Sequence, residues 1–198
     1  MWLSHILAFI VRVLVGARAQ WIGCAPSSAV RVYYANHTSH MDTIALWCAL
    51  PADLRAKTRA VAAADYWHGG FRGWLAQHAF NALLIDRSPE NRDRDPLAPL
   101  AEALQRGESL IIFPEGTRRA EALPGTFKTG LFYLAARVAE AELVPVYLEN
   151  LYRSMPKGTL LPVPLTCTVR IGAPLPRQVN EQKSEFLARA RQAVVDLA

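Results

Sequence analysis

The chain has 198 residues, 52% of them hydrophobic and 20% charged, a composition that excludes a disordered protein and suits one globular domain. Its formal net charge of +5 favours anionic partners. The sequence has no Lys/Arg run, zinc-ligand spacing or RNA-binding aromatic motif, so we expect a membrane surface and no nucleic acid. Three widely spaced cysteines exclude a disulfide framework and a cysteine metal site, and they indicate a reducing compartment.

The first 23 residues predict an amphipathic helix that associates with a membrane. Apolar residues recur at helical spacing over 3–21, while His5 and Arg12 lie on the opposite side. A run interrupted in this way suits a helix lying in the membrane interface better than a transmembrane span. A helix of the protein core and a cleaved signal sequence are the alternatives. We therefore divide the chain into an anchor, residues 1–23, and a globular domain, residues 24–198, on the cytoplasmic face of the membrane.

Strands and helices alternate along the rest of the chain, which predicts an α/β fold: one domain with a largely parallel central sheet flanked by helices. Ser39 and Ser184 are the predicted N-caps of two helices, and Pro51 ends the first of them. For the last strand, an antiparallel position at an edge of the sheet is an alternative to a parallel one. The predicted elements are strand 30–35, helix 43–50, strand 59–64, a short helix after the glycine-rich residues 66–74, strand 81–87, helix 96–105, strand 109–113, helix 128–140, strand 143–148, strand 165–171 and helix 184–197.

A histidine and an aspartate five positions apart follow the first of these strands. In open α/β sheets ligands gather beyond the carboxyl ends of strands, so His37 and Asp42 are candidate site residues. An imidazole, with an unperturbed pKa of about 6.5, can accept a proton from a hydroxyl, and a carboxylate can hold its ring in one tautomer. The alternative is a helix cap formed by Ser39 and Asp42 beside a structural histidine. His40 lies off this spacing and is predicted to be a structural or supporting residue.

A second candidate segment, Glu115-Gly116-Thr117-Arg118, follows the strand at 109–113. Its glycine allows backbone N–H groups to approach a ligand, and its guanidinium matches phosphate oxygens. The alternative is a strand-to-loop turn with a surface arginine. Arg87, at the end of another strand, is a second candidate phosphate ligand, with a surface ion pair beside the charged loop 88–95 as the alternative.

Four sequence blocks, in order, resemble the PlsC-type glycerolipid acyltransferases (the lysophosphatidate acyltransferases). They are Asn36-His37 with Asp42, the segment 81–87, the segment 113–118 (Phe-Pro-Glu-Gly-Thr-Arg) and Val144-Pro145-Val146, and together they cover about residues 30–150. Two positions depart from the family pattern. Asn81 replaces a usual glycine, and Arg119 stands where a serine is common, which adds a cation near the expected phosphate site.

The resemblance implies ester formation from an acyl thioester, with no metal or cofactor. His37 would deprotonate the free hydroxyl of a lysophospholipid, and the alkoxide would attack the thioester of acyl-CoA or acyl-acyl carrier protein. Donors near Gly116 and Thr117 would stabilise the tetrahedral oxyanion. The residues implied to bind the substrate phosphate are Arg87, Glu115, Gly116, Thr117, Arg118 and Lys128.

The expected acceptor is 1-acylglycerol-3-phosphate, which would give phosphatidate. Glycerol-3-phosphate and other lysophospholipids are the alternative acceptors for the same chemistry. Two other classes of protein stay open: a thioester hydrolase that uses water as the acceptor, and a non-catalytic lipid-binding protein of the membrane surface.

Overall fold

The computed structural model describes residues 18–39, 41–63, 82–85, 95–151 and 167–198. Within these ranges the chain forms seven strands and five helices, of which the strand at 18–21 and the helix at 52–56 were not predicted. The elements are β1 (Arg18–Trp21), β2 (Arg31–Ala35), α1 (Asp42–Ala49), α2 (Ala52–Ala56), β3 (Thr58–Ala63), β4 (Leu83–Ile85), α3 (Ala98–Gln105), β5 (Ser109–Ile112), α4 (Gly130–Arg137), β6 (Glu142–Leu148), β7 (Thr168–Ile171) and α5 (Lys183–Val195).

The strands form one sheet in the order β1-β7-β6-β2-β5-β3-β4. The five strands from β6 to β4 in this order are parallel to one another. β7 is antiparallel to β6, and β1 is parallel to β7. The predicted α/β domain with a largely parallel sheet is therefore confirmed. The antiparallel direction of the last strand is also as predicted, but its edge position is not, because β1 pairs along its outer side.

Apolar side chains cover both faces of the sheet, which explains why its central strands are hydrophobic throughout. Along β2, Tyr33 and Ala35 face a cluster built with α1, while Val32 and Tyr34 face a second cluster built with α3, α4 and α5. This alternation follows from the two-residue repeat of a strand. Buried on both sides, β2 is fixed in register between β5 and β6, and its carboxyl end is a rigid support for whatever follows it.

The amino-terminal end of the described chain differs from the prediction. Residues 18–21 form β1 and do not continue the helix predicted for 1–23. The Arg18 N–H donates to the Cys167 carbonyl (3.0 Å) and the Ile22 N–H to the Ile171 carbonyl (2.7 Å). Because β1 is mostly exposed, backbone pairing decides its structure, and side-chain periodicity alone does not reveal such pairing. Residues 1–17 lie outside the described residues. No helix in the described ranges is long and apolar enough to cross a membrane.

Two helix boundaries were predicted from single residues, one correctly and one wrongly. α1 ends at Ala49 because Leu50, which precedes Pro51, is extended (ψ 146°), as the proline predicts. At the start of α5 the predicted cap is wrong: Gln182, not Ser184, is the N-cap, and its N–H donates to Glu185. The glycine-rich residues 66–74 lie outside the described residues, and so do the ends of the strand predicted at 81–87.

Candidate active site

The order of the sheet brings the two predicted segments together. β2 lies between β5 and β6 and is parallel to both, so the residues after β2 and after β5 leave the same edge of the sheet. His37, two residues beyond β2, stacks on Phe113, the first residue after β5, with ring centroids 4.2 Å apart and planes inclined by 20°. This ring contact could not be predicted from the sequence, because it depends on the strand order.

His37 and Asp42 form a hydrogen-bonded pair. The ring Nδ1 lies 2.9 Å from Asp42 Oδ2, and the carboxylate is fully buried. The same oxygen accepts the N–H groups of Thr38 (2.6 Å) and Ser39 (2.8 Å). An oxygen that already accepts two N–H groups accepts from the ring as well, so Nδ1 carries the hydrogen and Nε2 is left with its lone pair.

The aspartate also caps the turn that precedes α1. Its bonds to Thr38 and Ser39 hold the turn closed, and the Ser39 hydroxyl accepts the N–H of Met41 (3.2 Å). The predicted Ser39 cap is wrong, because the N-cap of α1 is Met41 and no side chain caps it; Asp42 and Ser39 close the turn before the helix, and the same aspartate binds His37. His40 lies outside the described residues.

Asn36 links three segments at this edge of the sheet: the chain after β2, the end of β6 and the loop after β5. Its side-chain carbonyl accepts the Leu148 N–H (2.8 Å), while its amide donates to the carbonyls of Leu148 and Ala122 (both 3.2 Å). The residue is fully buried, so these bonds replace those that water would make. They fix the chain that enters His37 to the end of β6 and to the loop after β5.

Glu115 differs from the prediction, which made it part of a phosphate site. Its Oε1 accepts the backbone N–H of His37 (2.8 Å), and its Oε2 accepts the backbone N–H of Gly125 (2.8 Å). The carboxylate is buried and is absent from the lining of the cavity beside His37. Both oxygens thus bind the protein's own backbone, and a negative charge at this point would repel a phosphate. The contacts are those of a residue that positions His37.

Arg119 does not add a cation to the cavity, contrary to the sequence-based expectation. Its side chain pairs with Glu121 (Nε to Oε2, 3.2 Å), lies 3.7 Å from Glu115 Oε2, and does not line the cavity. Its backbone N–H donates to the His37 carbonyl (2.9 Å). Arg119 therefore secures the loop around His37 from the side opposite Glu115.

A cavity of about 850 Å³ opens beside His37. Gly116, Thr117, Arg118 and Lys128, all predicted to bind phosphate, line it together with the histidine. Arg87 lies outside the described residues. The apolar part of the lining is contributed by β3, β4, β5, α3 and α4 and includes Val61, Ile85, Leu97, Leu100, Ile112, Leu131 and Leu134.

Asp95 is the single acidic residue in the described lining, and it pairs with Arg137, which also lines the cavity. The backbone N–H of Leu97 and the Arg137 guanidinium lower the pKa of Asp95, so its charge is committed to that ion pair. Within the described ranges no group of histidine, cysteine or acidic side chains is arranged to hold a metal ion. The cavity thus combines an imidazole, cations and an apolar wall.

Gly116 occupies a tight turn in the left-handed region (φ +71°) that favours glycine. Its N–H donates to the Phe113 carbonyl (3.0 Å), so this group closes the turn and is not directed at a ligand. The neighbouring Thr117 is exposed on the cavity, and its N–H makes no hydrogen bond within the described part of the chain. Of the two predicted oxyanion donors, Thr117 is therefore the one whose N–H is not already used in the turn.

The Acyltransferase family profile matches residues 25–149 of the chain. The chain is 29% identical over 133 residues to the chloroplast 1-acyl-sn-glycerol-3-phosphate acyltransferase of Arabidopsis thaliana, covering 67% of this chain and 35% of that protein. It is 28% identical over 179 residues to 1-acyl-sn-glycerol-3-phosphate acyltransferase alpha of Homo sapiens, covering 85% and 58%. The chain thus spans about a third to three-fifths of the length of these curated relatives.

The solved structure of the 1-acyl-sn-glycerophosphate acyltransferase PlsC from Thermotoga maritima has the same fold. The TM-score is 0.76 at 20% sequence identity, and the match covers 99% of this chain and 77% of the other. The α/β architecture and the family profile therefore agree, and the profile spans both the His37–Asp42 pair and the loop after β5.

Proposed function

The chain belongs to the PlsC-type glycerolipid acyltransferase family, and we propose that it transfers a fatty acyl group from acyl-CoA or acyl-acyl carrier protein to 1-acylglycerol-3-phosphate, giving phosphatidate. The observation that carries the proposal is the His37–Asp42 pair, which shares a cavity with Arg118 and Lys128. A base next to cations suits a reaction at a hydroxyl whose molecule also carries a phosphate.

The first chemical step is proton transfer from the acceptor hydroxyl to His37 Nε2. The resulting alkoxide oxygen attacks the thioester carbonyl carbon, a C–O bond forms, and the carbonyl oxygen takes the negative charge. The Thr117 N–H is the proposed donor to that oxyanion. As the C–S bond breaks, the proton on Nε2 passes to the leaving sulfur, so His37 ends the cycle neutral. Asp42 stabilises the intermediate imidazolium and keeps the ring from turning.

The acceptor is held at both of its ends. Arg118 and Lys128 bind the phosphate with charge-assisted hydrogen bonds, and Arg87 is proposed to add a further cation. The apolar lining contributed by β3, β5 and α4 suits hydrocarbon chains, whose burial stabilises by roughly 0.8 kcal/mol per CH₂ group. A substrate with a charged headgroup and a hydrocarbon tail therefore matches the cavity better than glycerol-3-phosphate, which has no tail.

We propose that residues 1–23 hold the protein at the cytoplasmic face of a membrane, with the helical part ending before β1. The apolar periodicity of the first residues supports this role, because it gives a helix that lies in the interface. A membrane-bound enzyme meets its acceptor in the bilayer and its thioester donor in the surrounding water.

The test is thiol release from acyl-CoA by the full chain in the presence of a panel of acceptors: 1-acylglycerol-3-phosphate, glycerol-3-phosphate, a lysophosphatidylcholine and no acceptor. We expect release to depend on the acceptor and to be fastest with 1-acylglycerol-3-phosphate. Equal release without any acceptor would indicate a thioester hydrolase. No release with any acceptor, from either acyl-CoA or acyl-acyl carrier protein, would indicate a lipid-binding protein and refute the proposal.

A further inference from the structure

The open face of Gly116 is occupied by the side chain of Lys128. A Cβ atom built on Gly116 would lie 2.7 Å from Lys128 Nζ, 2.8 Å from Cε and 3.0 Å from Cδ. These distances are shorter than van der Waals contact, so the outer half of the lysine lies directly across the bare Cα of the glycine. The family motif offers no hint of this contact, because the two residues are 12 positions apart and meet only through the loop between them.

The backbone of Lys128 is fixed on both sides. Its N–H donates to the Pro114 carbonyl (2.8 Å), which ties it to the turn that contains Gly116. The preceding residue, Phe127, is buried and packs edge-to-face on Tyr34 with ring centroids 6.2 Å apart. Gly130, two residues later, begins α4. With the backbone held in this way, the lysine side chain crosses Gly116 to reach the cavity, and a Cβ at residue 116 would have to displace it from this path.

That ammonium lies on the cavity, and no carboxylate among the described residues pairs with it. Lys128 is exposed and lines the cavity, and its side chain makes no hydrogen bond or ion pair within the described ranges. Glu115 is adjacent in sequence to Gly116, but its two oxygens accept from His37 and Gly125. An ammonium that has no counter-ion among the described residues and shares the cavity with His37 is suited to bind an anionic group of the substrate.

We propose that Gly116 positions Lys128, and that the lysine, held across the bare glycine, binds the phosphate of the acceptor. The glycine is then a specificity-determining residue for a phosphorylated acceptor through the lysine it admits, and not through its own N–H. This inference rests on the proposed transfer to a lysophospholipid. What it adds to the phosphate contact already proposed for Lys128 is the glycine that positions the lysine.

The experiment is a double-mutant cycle on the full chain with Gly116→Ala and Lys128→Met. Methionine keeps the length and apolar character of the stem and removes the charge. KM is measured for 1-acylglycerol-3-phosphate, for the phosphate-free 1-acylglycerol, and for acyl-CoA. We expect Lys128→Met to raise the KM for the phosphorylated acceptor by about 10- to 100-fold, the range for a lost charge-assisted hydrogen bond, and to leave the other two unchanged.

Gly116→Ala is expected to raise the same KM by about tenfold when Lys128 is present. When methionine replaces Lys128, Gly116→Ala should raise that KM by less than about twofold, because the effects of substituting two residues in direct contact are not additive. Gly107→Ala is the matched control. Gly107 also has a positive φ (+84°), but a Cβ there would meet nothing within 4 Å, so this variant shares the backbone strain without displacing a lysine. It should leave every KM unchanged. The assays are run below the melting midpoints of both Gly116→Ala and Gly107→Ala, so that both alanine variants are folded.

Equal effects of Gly116→Ala with and without Lys128, or an unchanged KM in Lys128→Met, would overturn the inference. A rise confined to the KM for acyl-CoA would also overturn it, because the lysine would then bind the phosphates of the donor. Failure of the proposed function itself has a different signature: the wild-type chain would release no thiol in response to any acceptor.

Discussion

Replacing Glu115 by glutamine tests whether this carboxylate positions His37 or binds substrate. The glutamate accepts two backbone N–H groups, one on each oxygen. A glutamine has a single carbonyl oxygen, and its NH₂ group can only donate. Whichever way the amide is turned, it faces either His37 N–H or Gly125 N–H with a second donor.

The cost follows from burial. Glu115 is 5% exposed, so water cannot replace the lost acceptor, and an unsatisfied buried donor costs about 1–3 kcal/mol. Taking about 2 kcal/mol, the melting midpoint of a chain of this size should fall by about 4–8 °C. We also expect kcat to fall, because the link that Glu115 makes between the His37 N–H and the Gly125 N–H is then broken at one of its two ends. The KM for the acceptor should change little.

The measurement is thermal melting together with steady-state kinetics, and Glu121→Gln is the control. Glu121 undergoes the same chemical change but is largely exposed, where it pairs with Arg119, so its replacement should change the stability by less than about 1 kcal/mol. If Glu115→Gln melts like the wild type and raises only the KM for the phosphorylated acceptor, then Glu115 acts on the substrate and the positioning role is refuted.

Three further predictions concern the reaction and the membrane. His37→Ala should lower turnover about 10²- to 10⁴-fold with little change in melting midpoint, whereas Asp42→Ala should lower both, because two backbone N–H groups also lose their acceptor; wild-type turnover in either variant would contradict the assignment. Arg118→Ala should raise the KM for 1-acylglycerol-3-phosphate more than it lowers kcat, and the opposite split in initial-rate data would move Arg118 to a transition-state role. Removing residues 1–15 should abolish sedimentation with anionic lipid vesicles; continued sedimentation would show that another surface binds the membrane.

The sequence revealed those parts of the fold that local chemistry decides. β2 and β5 are strongly apolar runs, and they were predicted to within a residue or two of their bounds. Pro51 ends α1 because a residue before proline avoids the helical conformation. By contrast, β1 has mostly exposed side chains and exists because its backbone pairs with β7, a partner about 150 residues away. No local pattern encodes such a pairing.

The candidate site shows the same division. The His37–Asp42 pair spans five residues and one turn, so its geometry could be inferred from spacing. The contacts that hold the pair in place could not be inferred, since Glu115 meets the His37 backbone across 78 positions and Asn36 meets Leu148 across 112. Both contacts depend on β2 lying between β5 and β6, and the order of strands is set by the packing of the whole sheet. Gly116 was predicted to let backbone N–H groups approach a ligand, but its own N–H closes the turn and Lys128 lies across its open face.

The central claim is that His37, oriented by Asp42, removes the proton from the acceptor hydroxyl that attacks the thioester. The most direct measurement counts two products of one reaction, the free thiol from acyl-CoA and the acylated lipid from 1-acylglycerol-3-phosphate, for the wild type and for His37→Ala. Both products should appear in equal amounts and only when the acceptor is present, and His37→Ala should form both about 10²- to 10⁴-fold more slowly. Thiol released without acylated lipid, or acylated lipid formed at the wild-type rate by His37→Ala, would contradict this claim.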